Sequence, residues 1–80
     1  MAAQESEVRD VSGKMISASS DSLTLEVPRV GRSETMHFAI EKYTKIENNL
    51  KVGSTIQVEY RTEDGRNIAI RVWAESKTFR

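Results

Sequence analysis

Residues 23–27 read Leu-Thr-Leu-Glu-Val and residues 36–40 read Met-His-Phe-Ala-Ile. In the first run Leu23, Leu25 and Val27 alternate with Thr24 and Glu26. In the second, Met36, Phe38 and Ile40 alternate with His37 and Ala39, and Thr35 extends the pattern. Successive side chains of a strand point to opposite faces, so a period of two marks a strand with one buried face. These two runs predict neighbouring half-buried strands. Pro28-Arg29-Val30-Gly31-Arg32-Ser33 connects them. Pro28 offers no N–H to a ladder and is expected at a strand end or on an edge.

Upstream, Val11-Ser12-Gly13-Lys14-Met15-Ile16-Ser17-Ala18 is a plausible strand with a bend or bulge at Gly13. Ser19-Ser20-Asp21-Ser22 closes it with side chains that bond nearby backbone. Residues 1–10 are polar and acidic and read as a flexible arm. Downstream, Ile56, Val58 and Tyr60 alternate with Gln57 and Glu59. Ile68, Ile70 and Val72 alternate with Ala69, Arg71 and Trp73. Glu63-Asp64-Gly65-Arg66 lies between them, and Asp-Gly between alternating runs marks a hairpin. Residues 41–53 show no such alternation and are expected to hold one helical turn or a short bridge. Gly53 is the expected positive-φ corner there.

The order is therefore a three-stranded meander, a connector and a hairpin, within one domain at residues 11–76 and a short tail at 77–80. A sheet this small gains by closing, because closure removes exposed edges. The predicted fold is all-β: a small five-stranded OB-like β-barrel whose helix between strands 3 and 4 is short or absent.

Eighty residues without cysteine allow one core, held by apolar burial and pairing alone or with help from a homo-oligomer. Twelve basic and twelve acidic residues cancel, which argues against a protein built mainly to hold nucleic acid or an anionic membrane. No stretch has the apolar length of a membrane span. Met1-Ala2-Ala3-Gln4 looks like an initiator Met before the small residues that follow a cleaved signal. That implies a periplasmic or secreted protein; the alternative is an ordinary cytoplasmic N-terminus.

Gly13-Lys14-Met15-Ile16-Ser17, Asp21-Ser22-Leu23-Thr24-Leu25, Thr44-Lys45-Ile46, Leu50-Lys51-Val52-Gly53-Ser54, Val58-Glu59-Tyr60, Asp64-Gly65-Arg66 and Ala69 together resemble a bacterial domain of unknown function. That family is OB-like and often belongs to exported or envelope proteins. The resemblance spans about residues 11–74 and rests on turns and core positions. It implies a fold and an exported setting, and carries over no catalytic or ligand residues. The basic Pro28–Arg32 connection and Trp73 depart from its pattern.

His37, the single histidine, is expected on the outer face of the third strand. No nucleophile elbow accompanies it, and an open strand face supplies neither oxyanion donors nor a dry pocket. No catalytic residue, cofactor or metal site is therefore predicted, and the chain is not expected to be an enzyme. A His37–Glu26 pair reads as a solvated polar contact. Gly13, Gly31, Gly53 and Gly65 are isolated and form no phosphate loop.

OB barrels commonly bind single-stranded nucleic acid on strands 2 and 3. Here that face would offer Thr24, Glu26, Thr35, His37 and Ala39, with an acid where a phosphate should lie. Lys14, Arg61, Arg71 and Trp73 form a possible second basic-aromatic face, and Arg29 and Arg32 a small basic loop. These six residues are the candidate interaction surface. Trp73 has three readings: cover for the barrel end, a stack under Arg71 or Arg61, or an interface anchor. The expected function is a non-enzymatic binding or interaction module of an exported bacterial protein, with a protein or envelope partner. The alternative is a single-stranded nucleic-acid binder.

Overall fold

The computed structural model describes residues 7–47 and 50–74. Five strands close into a barrel in the order β1-β2-β3-β5-β4. They are β1 (Val8–Ala18), β2 (Ser22–Arg29), β3 (Arg32–Ile46), β4 (Thr55–Glu63) and β5 (Arg66–Ala74). All contacts between neighbours are antiparallel except β3 with β5. The all-β closed barrel predicted above is the observed fold, and no helix occurs among the described residues.

Alternation sorts the faces as expected. Leu23, Leu25, Val27, Phe38, Ile56, Val58 and Tyr60 enter the core, joined by Met15, Ala69 and Val72. On β5 the pattern breaks. Glu59 pairs with Arg71 but Tyr60 pairs with Ala69, so Ile70 is a bulged residue. The bulge inverts the phase: Ala69 joins the core cluster and Ile70 is only half-buried, while Ile68 is buried as expected.

β1 serves two neighbours. Its first half pairs with β4, from Val8↔Arg61 to Lys14↔Thr55, and its second half with β2, from Lys14↔Glu26. Val8–Asp10 thus lie in a paired strand, so the strand begins inside the stretch expected to be an arm. The register slips between Met15 and Ser17, which puts the bulge at Ile16 rather than Gly13. At Gly13, β2 passes so close that a Cβ would lie 2.6 Å from the Glu26 carbonyl oxygen.

The connector after strand 3 was expected to start at residue 41, but Glu41–Ile46 continue β3. The strand turns from β2 towards β5 through an irregularity between Ile40 and Lys45. Thr44 bridges it: its Oγ1 accepts from the Glu41 N–H and donates to the Ala69 carbonyl, each at 2.8 Å. A side chain here replaces the ladder bonds that the irregularity removes. Beyond β3, Glu47 donates its N–H to the Val72 carbonyl and accepts from the Ala74 N–H. Gly53, at φ 95° as expected, and Ser54 bond to Met15. At the hairpin, Asp64 and Gly65 both take positive φ, the backbone that a two-residue turn with strand-matched twist requires. The tail at 77–80 and residues 1–6 lie outside the described residues.

A projecting hairpin and two stacked arginines

β2 and β3 outlast their neighbours. β1 pairs with β2 only as far as Glu26, and β5 pairs with β3 only from Ala39. Beyond these limits β2 and β3 pair with each other alone, from Val27↔Glu34 to Arg29↔Arg32. The result is a two-stranded arm projecting past the barrel wall. Its tip, Val30, is 100% exposed.

On the core-phase side of this arm Val27 pairs with Glu34, and Leu25 with Met36. Arg29 reaches back over them. Its Nε donates to Glu34 Oε1 at 2.8 Å, and its Nη2 sits 3.9 Å from Met36 Sδ. The arm therefore carries a guanidinium–carboxylate pair resting on a half-buried thioether. On the opposite side Thr24 Oγ1 and His37 Nδ1 lie 3.1 Å apart, and Ser33 Oγ donates to Glu26 Oε2 at 3.0 Å. His37 faces outward as expected and is tied to a neighbouring hydroxyl. Pro28 lies beyond the last β1 pair, on an edge as expected.

A groove of about 680 Å³ runs along the flank of the arm. The β3 run Glu34–Ala39 forms one wall and Gly65-Arg66-Asn67 of the β4–β5 turn the other. Thr62 Oγ1 donates to Asn67 Oδ1 at 3.0 Å, which leaves Asn67 Nδ2 turned to the His37 carbonyl at 3.4 Å.

The six candidate residues fall in separate places. Arg29 and Arg32 face each other at the arm tip. Lys14 stands on β1 opposite Glu26, in a cleft with Pro28, Ser33 and Thr55. Arg71 and Trp73 do meet: the guanidinium lies 4.7 Å from the indole ring centroid. The Arg71 stack on Trp73 is therefore formed, and the ring is half-buried outside the core cluster rather than part of it. Arg61 turns to Tyr43 instead, with its carbon 5.8 Å from that ring and its Nη2 donating to the phenol at 3.2 Å. Tyr43 was missed because residues 41–46 were not read as a strand.

Carboxylates accompany these cations. Glu63 Oε2 is 3.1 Å from Arg61 Nε, out of line for a hydrogen bond, and Glu59 Oε1 is 3.9 Å from Arg71 Nε. Pairs this exposed contribute only about 0–1 kcal/mol each, but they neutralise the surface that a phosphate backbone would need. Among the described residues no three His, Asp or Glu side chains converge as a metal cluster. No helix among them is long and apolar enough to cross a membrane.

The architecture is that of a small, closed, five-stranded OB-like barrel. Similar solved structures share it. The apo form of CusF from Escherichia coli superimposes with a TM-score of 0.81 at 17% identity, covering 95% of this chain and 96% of that one. Silver(I)-bound CusF from the same organism gives 0.77 at 17% identity over 89% and 95% of the two chains. A copper(II)-bound CusF variant gives 0.76 at 20% identity over 95% and 100%. Identity this low establishes a common fold. No protein-family model and no curated protein sequence matches the chain.

Proposed function

We propose that this chain is a non-enzymatic binding module that engages a protein partner through its β2–β3 arm. The observation that supports this most is the arm itself, a pair of strands flanked by no other strand of the described chain and tipped by a fully exposed valine. A solvated valine at a hairpin tip does nothing for the core, whereas at a contact it supplies apolar area. The exported setting implied by the family resemblance belongs to the same proposal.

The test is a photo-crosslinking amino acid placed at Val30 in cells of the native host, with Lys42 on the exposed far half of β3 as the control position. Adducts of discrete mass from Val30 and none from Lys42 are expected. Equal labelling from both positions, or none from either, would sink the arm as the contact.

Silver and copper are bound by the CusF structures that share this barrel. The donors among the described residues do not fit such ions. Soft monovalent cations need thioether, thiolate or imidazole groups that converge. Met15 and Met36 both belong to the core side but are separated by Leu25, paired to each of them on the intervening strand. Two strand spacings hold their backbones about 10 Å apart. His37 is on the other face of β3, and the Met36 sulfur already faces the Arg29 cation. Titration with silver(I), followed by calorimetry and by Trp73 fluorescence, is expected to show no saturable binding tighter than about 10 µM. A stoichiometric site that Met36→Leu abolishes would contradict this and move the function to metal handling.

A further inference from the structure

Among the described residues the arm has two edges without a neighbouring strand, and they differ. The β2–β3 ladder runs without a slip from Ser22↔Ala39 to Arg29↔Arg32. At its base the Ile40 N–H donates back to the Asp21 carbonyl at 2.9 Å. Backbone groups alternate in direction along a strand, so the N–H and C=O groups of Ile40, Phe38, Met36 and Glu34 point to β2. Those of Ala39, His37, Thr35 and Ser33 then point the other way. Two contacts agree: Ala39 is the residue that pairs with Ile68 of β5, and the His37 carbonyl accepts from Asn67. By the same alternation Thr24, Glu26 and Pro28 turn their backbones to the β1 side. That edge has no N–H at Pro28, a common way of blocking an exposed strand. The β3 edge has neither a proline nor a lysine over Ser33–His37.

We propose that the β3 edge is a self-association site, joining the same edge of a second copy as an antiparallel strand about a two-fold axis at Thr35. This rests on the reading of the arm as the contact surface and names its partner. The register follows from the residues. Centred on Thr35, the pairing sets Ser33 of one copy against His37 of the other and Glu34 against Met36, with no like charges opposed; the His37 carbonyl then exchanges its 3.4 Å side-chain contact from Asn67 for the Ser33 N–H of the other copy. Centred on Glu34, it would place two carboxylates face to face, which is destabilising. Centred on Met36, it would set Ser33 against Ala39, whose outward groups are already engaged by β5. The arm carries Glu26, Glu34, Arg29 and Arg32, so two arms meet without net repulsion. A two-fold contact needs a self-complementary patch, and of these three registers the one centred on Thr35 meets that condition.

Sedimentation velocity on the full chain tests the site. Between about 5 µM and about 500 µM the species is expected to shift from one chain to two, the range of a contact made mainly by one strand. Thr35→Pro removes the outward N–H at the centre of the pairing and leaves the bonds to β2 in place; it is expected to stay a single chain throughout. Thr35→Lys keeps the backbone intact, sets two cations against each other at the axis, and is expected to weaken association at least about tenfold. In the wild-type chain, exchange of the Thr35 and His37 amides should slow as concentration rises. A single chain over the whole range, or a dimer that survives both substitutions, overturns the proposal. A single chain that still yields Val30 adducts with a different protein would leave the arm as the contact and remove only the second copy as its partner.

Discussion

Phe38→Ala is expected to lower the stability of the barrel by about 3–5 kcal/mol, the usual effect of deleting a fully buried aromatic side chain. Phe38 is 1% exposed. It lies opposite Leu23 on β2, just before β3 passes to β5. Its ring meets Tyr60 of β4 edge-on, with centroids 5.1 Å apart and planes at 70°. Truncation therefore loses burial, leaves a cavity that two sheet halves must close, and removes the edge-to-face contact. A domain of this length has only about 4–12 kcal/mol of stability in total. The urea midpoint should fall steeply, or the protein should already be largely unfolded in water. A loss below about 1 kcal/mol would mean that Phe38 does not hold the sheet halves together.

Gly13→Ala is the second large effect, expected at about 2–3 kcal/mol, in the range of an overpacked core site. An added Cβ would lie 2.6 Å from the Glu26 carbonyl oxygen, 3.1 Å from its carbon and 3.2 Å from Val27 Cγ2. Two of these are backbone atoms, so β1 and β2 would have to separate where β1 passes from pairing with β4 to pairing with β2. Gly31→Ala makes the matched comparison. Gly31 has φ 78° with nothing within 4 Å of an added Cβ, so its cost is conformational only, about 1–2 kcal/mol. Thermal unfolding of both variants decides the matter. If Gly31→Ala proves the more damaging, close approach is not what β1 needs at residue 13.

The family resemblance and the barrel agree on the fold, and the two sets of functional residues named from sequence fared differently. Arg71 and Trp73, two apart on one strand, were legible as a stack because i and i+2 share a face. Lys14 and Arg61 could not be placed beside them from sequence. Their positions depend on which strand each meets across the barrel, and β1 meets two. The open β3 edge was invisible for the same reason. Nothing in Ser33–His37 says that β5 begins only at residue 66 and pairs only from Ala39. Met36 could be assigned to the core side, but not to the guanidinium of Arg29 lying over it.

The sequence by itself determined five strands, the inward positions of the three regular runs on β2, β3 and β4, and the corners at Gly53 and Asp64-Gly65. These are local matters, set by a period of two and by backbone that only certain residues adopt readily. Tertiary structure decided the rest. It carried β3 through residues 41–46, because pairing with β5 outweighs weak local preference once Thr44 replaces the missing ladder bonds. It also moved Ala69 into the core through the bulge at Ile70, since closing a barrel fixes strand stagger that no single strand encodes. And it left the arm with one edge lacking a donor at Pro28 and the other open, because an edge exists only where a neighbouring strand ends.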